Sequence, residues 1–217
     1  MTARITVVSP MDLAMEIVGE AFAEIWPEAQ VVNLLDESLY ADFAGGKPQT
    51  EETGRRLSEL LHYAADCGPD GMIFVGSVFG RWVEAARVDI DIPCLTSYEA
   101  MIEEAFTHGD RFGILTTAAG TLKCLVEDID RYSKEHGLSC TITDHIEDAA
   151  RPVILSGDID THDRMVAVAA AKMTDCDVLM LGQFSMGNAA KMIADVPGRP
   201  VLTAPRAGVR KLKRLLG

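Results

Sequence analysis

Two short stretches gather small and hydroxyl-bearing residues where an apolar run gives way to a helical pattern. One is Gly76-Ser77-Val78-Phe79-Gly80 and the other is Gln183-Phe184-Ser185-Met186-Gly187. Ser9-Pro10, Asp36-Glu37-Ser38, Thr116-Thr117 and Thr143-Asp144-His145 stand at similar junctions. Hydroxyls and unpaired backbone N–H groups at helix starts suit an anionic oxygen, such as a carboxylate. Any single Ser or Thr at such a place also serves as a helix N-cap. The expectation of a binding site therefore rests on the cluster.

Titratable residues near these junctions are few. His162, in GDIDTHDRM (157–165), falls at an expected helix start. There it either carries a proton in a reaction or is a polar loop residue beside a cap. His145 follows an expected strand end, while His62, His108 and His136 fall within or at the ends of helices and are expected to be solvated. Asp36 and Glu37 could place a carboxylate at the site or could terminate a turn. AGGKPQT (44–50) lacks the spacing of a phosphate-binding loop and does not join a strand to a helix. It reads as a mobile loop able to cover a site. No HExxH, GxSxG or EF-hand pattern occurs. The five cysteines, Cys67, Cys94, Cys124, Cys140 and Cys176, are odd in number and irregularly spaced, without CxxC. That argues against a zinc site and a disulfide framework, and for a reducing compartment, the cytoplasm. No metal and no cofactor is expected.

Elements must hold these residues in place. Short apolar runs at 5–9, 31–35, 71–75, 112–116, 139–143 and 178–182 alternate with amphipathic stretches at 11–25, 51–66, 98–107, 121–136, 162–174 and 205–216. Shorter runs at 93–95 and 200–202 follow proline boundaries. Strands this apolar are covered on both faces, as in a parallel sheet with crossover helices, which gives an α/β class. A repeat runs through the chain at one fixed offset: Arg4 with Arg111, Asp70 with Asp177, Gly80 with Gly187, Pro93 with Pro200 and Leu95 with Leu202. The expectation is two similar parallel-sheet halves related by a pseudo-twofold and facing one cleft. The first comprises 1–95 with a C-terminal helix at 203–217, and the second comprises 96–202; helix exchange between halves is left open. Ligands of open parallel sheets bind beyond the carboxyl ends of the strands, which is where the residues above fall.

Composition narrows the partners. The net charge of −13 argues against nucleic acid. The six bases from Arg199 onward, with no acid among them, form either an anion patch or a helix end whose cations suit its own dipole. No stretch is long and apolar enough for a membrane span, and MTARITVVSP reads as a first strand rather than a signal peptide. Self-association is left open.

The chain resembles the aspartate/glutamate/hydantoin racemase superfamily, which includes arylmalonate decarboxylase and maleate isomerase. The resemblance is carried by NLLDESL (33–39), DGMIFVGSVFG (70–80), DIPCLTSYEAMIEEAF (91–106), RFGILTT (111–117) and DVLMLGQFSMGNA (177–189). It implies a carbon acid deprotonated beside a carboxylate or carbonyl, with an enolate held by hydroxyls and N–H groups. Family racemases carry one cysteine after the central strand of each half. Here those positions are Gly76 and Gln183, and neither titrates usefully near neutral pH. Arylmalonate decarboxylase shares the first departure but not the second.

The reading that results is a cofactor-independent isomerase, racemase-like or lyase enzyme acting on a small carboxylate or related carbonyl compound, without the two-cysteine mechanism. Gln183, Ser77 and His162 are its expected catalytic residues. Ser9, Asp36, Gly76, Val78, Thr116, Thr117, Phe184 and Ser185 are its expected substrate contacts. The alternative is a non-catalytic small-carboxylate binder or sensor on the same fold.

Overall fold

In the computed structural model, residues 2–193 and 199–217 are described. The chain forms two compact units, one of residues 1–97 with 208–217 and the other of residues 98–207. Each holds a four-stranded, all-parallel sheet.

In the first unit the strands are β1 (Arg4–Ser9), β2 (Gln30–Leu35), β3 (Gly71–Phe74) and β4 (Cys94–Leu95), in the order β2-β1-β3-β4. The helices are α1 (Asp12–Ile25), α2 (Glu37–Ala44), α3 (Glu51–Asp66) and α4 (Gly80–Ala86). The central strand β3 is buried throughout, as its unbroken apolar run requires. The edge strand β2 has no fully buried position: Gln30, Asn33 and Leu35 are exposed and the others half-buried. Leu57, Leu61 and Ala64 of α3 pack with Met72, Phe74, Phe79 and Val83 into one apolar cluster. Each large side chain removed from water in this way contributes roughly 1.5–3 kcal/mol. The last turns of the C-terminal helix also belong here: a Cβ on Gly71 would lie 2.7 Å from Leu216 Cδ1.

In the second unit the strands are β5 (Arg111–Thr116), β6 (Thr141–Ile146), β7 (Val178–Leu181) and β8 (Val201–Thr203), in the order β6-β5-β7-β8. The helices are α5 (Glu99–Ala105), α6 (Ala119–His136), α7 (Ala150–Leu155), α8 (Ile159–Ala170) and α9 (Ala204–Leu216), whose residues from Gly208 onward fall in the first unit. Val166, Ala169 and Ala170 of α8 join Leu115, Leu179, Leu181 and Met186 in the core.

The repeat is visible in the registers. Ile5 pairs with Gly71 and Phe112 with Val178, while Met72 pairs with Cys94 and Leu179 with Val201, so each pair in the second sheet repeats one in the first at the offset of Arg4 to Arg111. The repeated charged residues lie at the amino ends of the central strands. Asp70 Oδ2 accepts from the Arg4 N–H at 2.7 Å, and Asp177 Oδ2 from the Arg111 N–H at 3.0 Å. The Arg111 guanidinium adds a bond to Asp177 at 2.7 Å and holds that carboxyl below the usual carboxylate range. The fold accounts for these residues.

Several boundaries differ from the sequence reading, which also left α4 and α7 unassigned. The strand expected at 139–143 runs from Thr141 to Ile146, so Thr143, Asp144 and His145 lie within it rather than at its end. This edge strand is mostly exposed, so its residues are polar and an apolar run marks it poorly. Helix α2, which sequence reading left unassigned, begins at once after Asp36. Helix α8 starts earlier than the expected 162, at Ile159.

Several C-terminal cations donate to backbone carbonyls. Arg199 is buried and binds the carbonyls of Ala170, at 3.3 Å, and of Met173. Arg206 binds that of Gly187 at 2.7 Å, and Lys213 that of Ile25 at 2.7 Å. Positive groups at the carbonyl ends of helices suit the helix dipole.

Candidate functional site

In the first unit the strand-end residues divide by what their polar atoms already do. Ser9 is fully buried, and its hydroxyl donates to Met11 O at 2.6 Å and accepts from Met11 N at 3.1 Å. It closes the β1–α1 turn. Asp36 caps α2, with Oδ1 accepting from Ser38 N at 3.0 Å, and pairs with Arg56 at 3.7 Å. Both serve local structure first.

Gly76 follows β3 and precedes a short 3₁₀ turn, Ser77–Phe79. Its φ of −118° suits any residue. Space is what excludes a side chain: a Cβ there would lie 2.5 Å from Phe74, 2.9 Å from Pro10 and 3.0 Å from Phe79. The Ser77 and Val78 N–H groups open the turn, where no intrahelical acceptor exists. Both residues are half-buried.

The 44–50 loop is tied to this turn. Gln49 Nε2 donates to Val78 O at 3.0 Å, and Gln49 Oε1 accepts from Trp82 Nε1 at 3.1 Å. Trp82 packs against α3 at Gly54, where a Cβ would come within 2.4 Å of the indole. Below the loop is a cavity of about 240 Å³, with an apolar floor of Leu39, Phe43 and Phe79 and polar walls that include Asp42, Lys47 and Arg56. Lys47 at 2.6 Å and Arg56 at 2.9 Å hold the Asp42 carboxyl below the usual carboxylate range.

In the second unit Gln183 is the centre of a network. Its Oε1 accepts from Thr117 N at 2.6 Å and from Thr117 Oγ1 at 2.8 Å, joining the end of β7 to the end of β5. With its oxygen so engaged, the side chain has its Nε2 hydrogens left to offer. Thr116 is fully buried, and its hydroxyl donates a long 3.4 Å bond to Ala118 O. Ser185 is half-buried on the 3₁₀ turn Phe184–Met186. The Phe184 side chain is buried, with 4% exposure.

His162 is not a polar loop residue. It lies in the first turn of α8 with no exposed surface, and Nδ1 meets Asp163 Oδ1 at 2.8 Å. His145 sits on the exposed edge strand, 3.6 Å from Glu147.

Three residues escaped sequence reading. Thr203 ends β8, is 1% exposed, and its hydroxyl has no partner among the described residues. It is the repeat partner of Thr96, so extending the repeat one step past Leu95 and Leu202 would have found it. Asp163 adjoins the histidine already singled out. Gln49 carries no signal in sequence, because its partners are distant in the chain. Among the described residues no cluster of metal-ligating side chains occurs and no helix is long and apolar enough to cross a membrane.

The model of the Asp/Glu/hydantoin racemase family matches residues 9–212. No match is found among curated protein sequences. Among solved structures, allantoin racemase from Klebsiella pneumoniae is 19% identical, with a TM-score of 0.71 over 99% of this chain and 88% of that one. An aspartate racemase homologue from Pyrococcus horikoshii is 13% identical, with a TM-score of 0.70 over 99% of both chains. Arylmalonate decarboxylase is 17% identical, with a TM-score of 0.65 over 99% of this chain and 92% of that one. At these identities the structural likeness establishes the fold.

Proposed function

Because the chain belongs to the Asp/Glu/hydantoin racemase family, we propose that it is a cofactor-independent enzyme acting beside a carboxylate or carbonyl of a small molecule. The reaction passes through an enolate-like state, as isomerisation, racemisation or C–C cleavage, and no thiol carries the proton. The observation that supports this best is the Gln183–Thr117 network. It puts a fixed amide at the position after β7, bound through its oxygen and able to donate through its nitrogen. Preorganised neutral donors of this kind stabilise developing negative charge on oxygen.

In this reading Gln183, which Thr117 holds in place, binds the substrate oxygens with Ser185 and the neighbouring Thr116, and Ser77, with the N–H groups of Gly76 and Val78, is the corresponding set of donors in the first unit. Ser9, Asp36 and Phe184 shape the surroundings, and His162 carries the proton. A second reading is a non-catalytic carboxylate binder, favoured by the lack of a titrating group at both Gly76 and Gln183.

Two measurements test the proposal. Aspartate, glutamate, 5-methylhydantoin, allantoin and phenylmalonate are first screened by thermal shift, since binding to the native state raises apparent stability. Exchange of the carbon-bound proton in D₂O is then followed by NMR. At least one compound is expected to bind and exchange. Binding without exchange favours the second reading, and the absence of both rejects each.

A further inference from the structure

Helix α8 opens at Asp158, whose carboxylate accepts the Thr161 N–H at 3.1 Å. His162 then faces inward in line with Val166, Ala169 and Ala170, the buried stripe of the helix. Buried polar atoms are as a rule hydrogen-bonded. Here one ring nitrogen meets that rule and the other does not. Nδ1 bonds to Asp163 at 2.8 Å, while Nε2 is buried and has no partner among the described residues.

The position of the ring along the sheet gives this meaning. After α8 the chain turns so that Cys176 Sγ lies 2.7 Å from where a Gly113 Cβ would stand, in the middle of β5. From there α8, read backwards, runs toward the carboxyl edge of the sheet. In a parallel sheet the chain between β6 and β7 leads from the carboxyl end of one strand to the amino end of the other, so the first turn of α8, which holds His162, lies on the carboxyl side of the sheet, as do Thr117 and Gln183.

We propose that Asp163 fixes His162 in its Nδ1–H tautomer, so that Nε2 is the atom that takes the carbon-bound proton of the substrate. An ionised carboxylate only accepts hydrogen bonds, so a neutral ring paired with it keeps its hydrogen on Nδ1 and its lone pair on Nε2. In the step, Nε2 takes the proton from the carbon beside the carbonyl. The C–H electron pair moves onto the carbonyl oxygen, giving the enolate. The imidazolium formed rests against the Asp163 carboxylate. Return of the proton from Nε2 to carbon restores the ring, with nothing oxidised or reduced. His162 is the catalytic residue and Asp163 its positioning residue. The inference rests on the reading that the strand ends of this unit hold the substrate.

The test uses the full chain labelled with ¹⁵N-histidine, with His162→Gln to assign the His162 signals. Long-range ¹⁵N–¹H spectra should show neutral His162 with a protonated Nδ1 and a bare Nε2. Asp163→Asn should lose that tautomer and Asp163→Glu should keep it. In D₂O exchange of 5-methylhydantoin and phenylmalonate, folded His162→Gln should lose about 10²-fold or more in kcat, with KM nearly unchanged. Asp163→Asn should lose less, and Asp163→Glu should recover part of that loss. A proton on Nε2 in the unmodified chain overturns the proposal, as does a tautomer indifferent to Asp163→Asn or exchange at the original rate in folded His162→Gln. If the unmodified chain exchanges neither compound, the functional reading loses its support, and the spectra alone decide whether Asp163 sets the tautomer.

Discussion

The resemblance to family racemases sets Gly76 and Gln183 at the two thiol positions, and each residue is held by its neighbours in a different way. Gly76 is enclosed by Phe74, Pro10 and Phe79, so even a methyl group collides. Gly76→Ala is expected to cost about 1–3 kcal/mol of unfolding free energy, the usual range for overpacking. Urea denaturation checks this, and unchanged stability would show that the aromatic rings yield freely. Gln183 is held by two bonds to Thr117. The use of Ser9 and Asp36 was not legible in the sequence. Their side chains are spent on Met11, and on Ser38 and Arg56, and sequence alone cannot separate a capping hydroxyl or carboxylate from a binding one. His162 was legible as a candidate, but its burial was not, since that depends on which face of α8 meets the sheet.

At the scale of elements, the loop at 44–50 was read as mobile, yet Gln49 joins it to the turn that presents Ser77 and Val78. Loss of both bonds should loosen the two segments together. Gln49→Ala is expected to speed amide exchange in 45–50 and 77–82 by roughly tenfold, from about 0.5–1.5 kcal/mol for each bond. Hydrogen-exchange mass spectrometry reads this directly. Acceleration in the loop alone would mean that the turn is held independently. The apolar strands β1, β3, β5 and β7 were found within a residue or so, because burial on both faces forces an unbroken apolar run. The edge strand β6 was placed too early, at 139 instead of Thr141, because an exposed edge imposes no such run.

At the scale of the molecule, the fixed offset of the sequence repeat predicted two parallel-sheet halves, and the shared registers of β1 with β3 and of β5 with β7 bear out that duplication. The same frame locates the thiols. Cys67 follows α3, Cys94 lies in β4, Cys124 in α6, Cys140 just before β6 and Cys176 just before β7. None follows β3 or β7. Cys140 is further disfavoured as a nucleophile, because burial pushes its thiol up from the usual range. The central claim is a family enzyme that moves protons without cysteine. The most direct measurement is carbon-bound deuterium exchange in D₂O by the full chain, on the five compounds screened above, before and after treatment with iodoacetamide under native conditions. The account predicts exchange that survives alkylation, with no inversion of aspartate or glutamate. Loss of exchange on alkylation of the folded protein, prevented by prior addition of the exchanging compound, would contradict it.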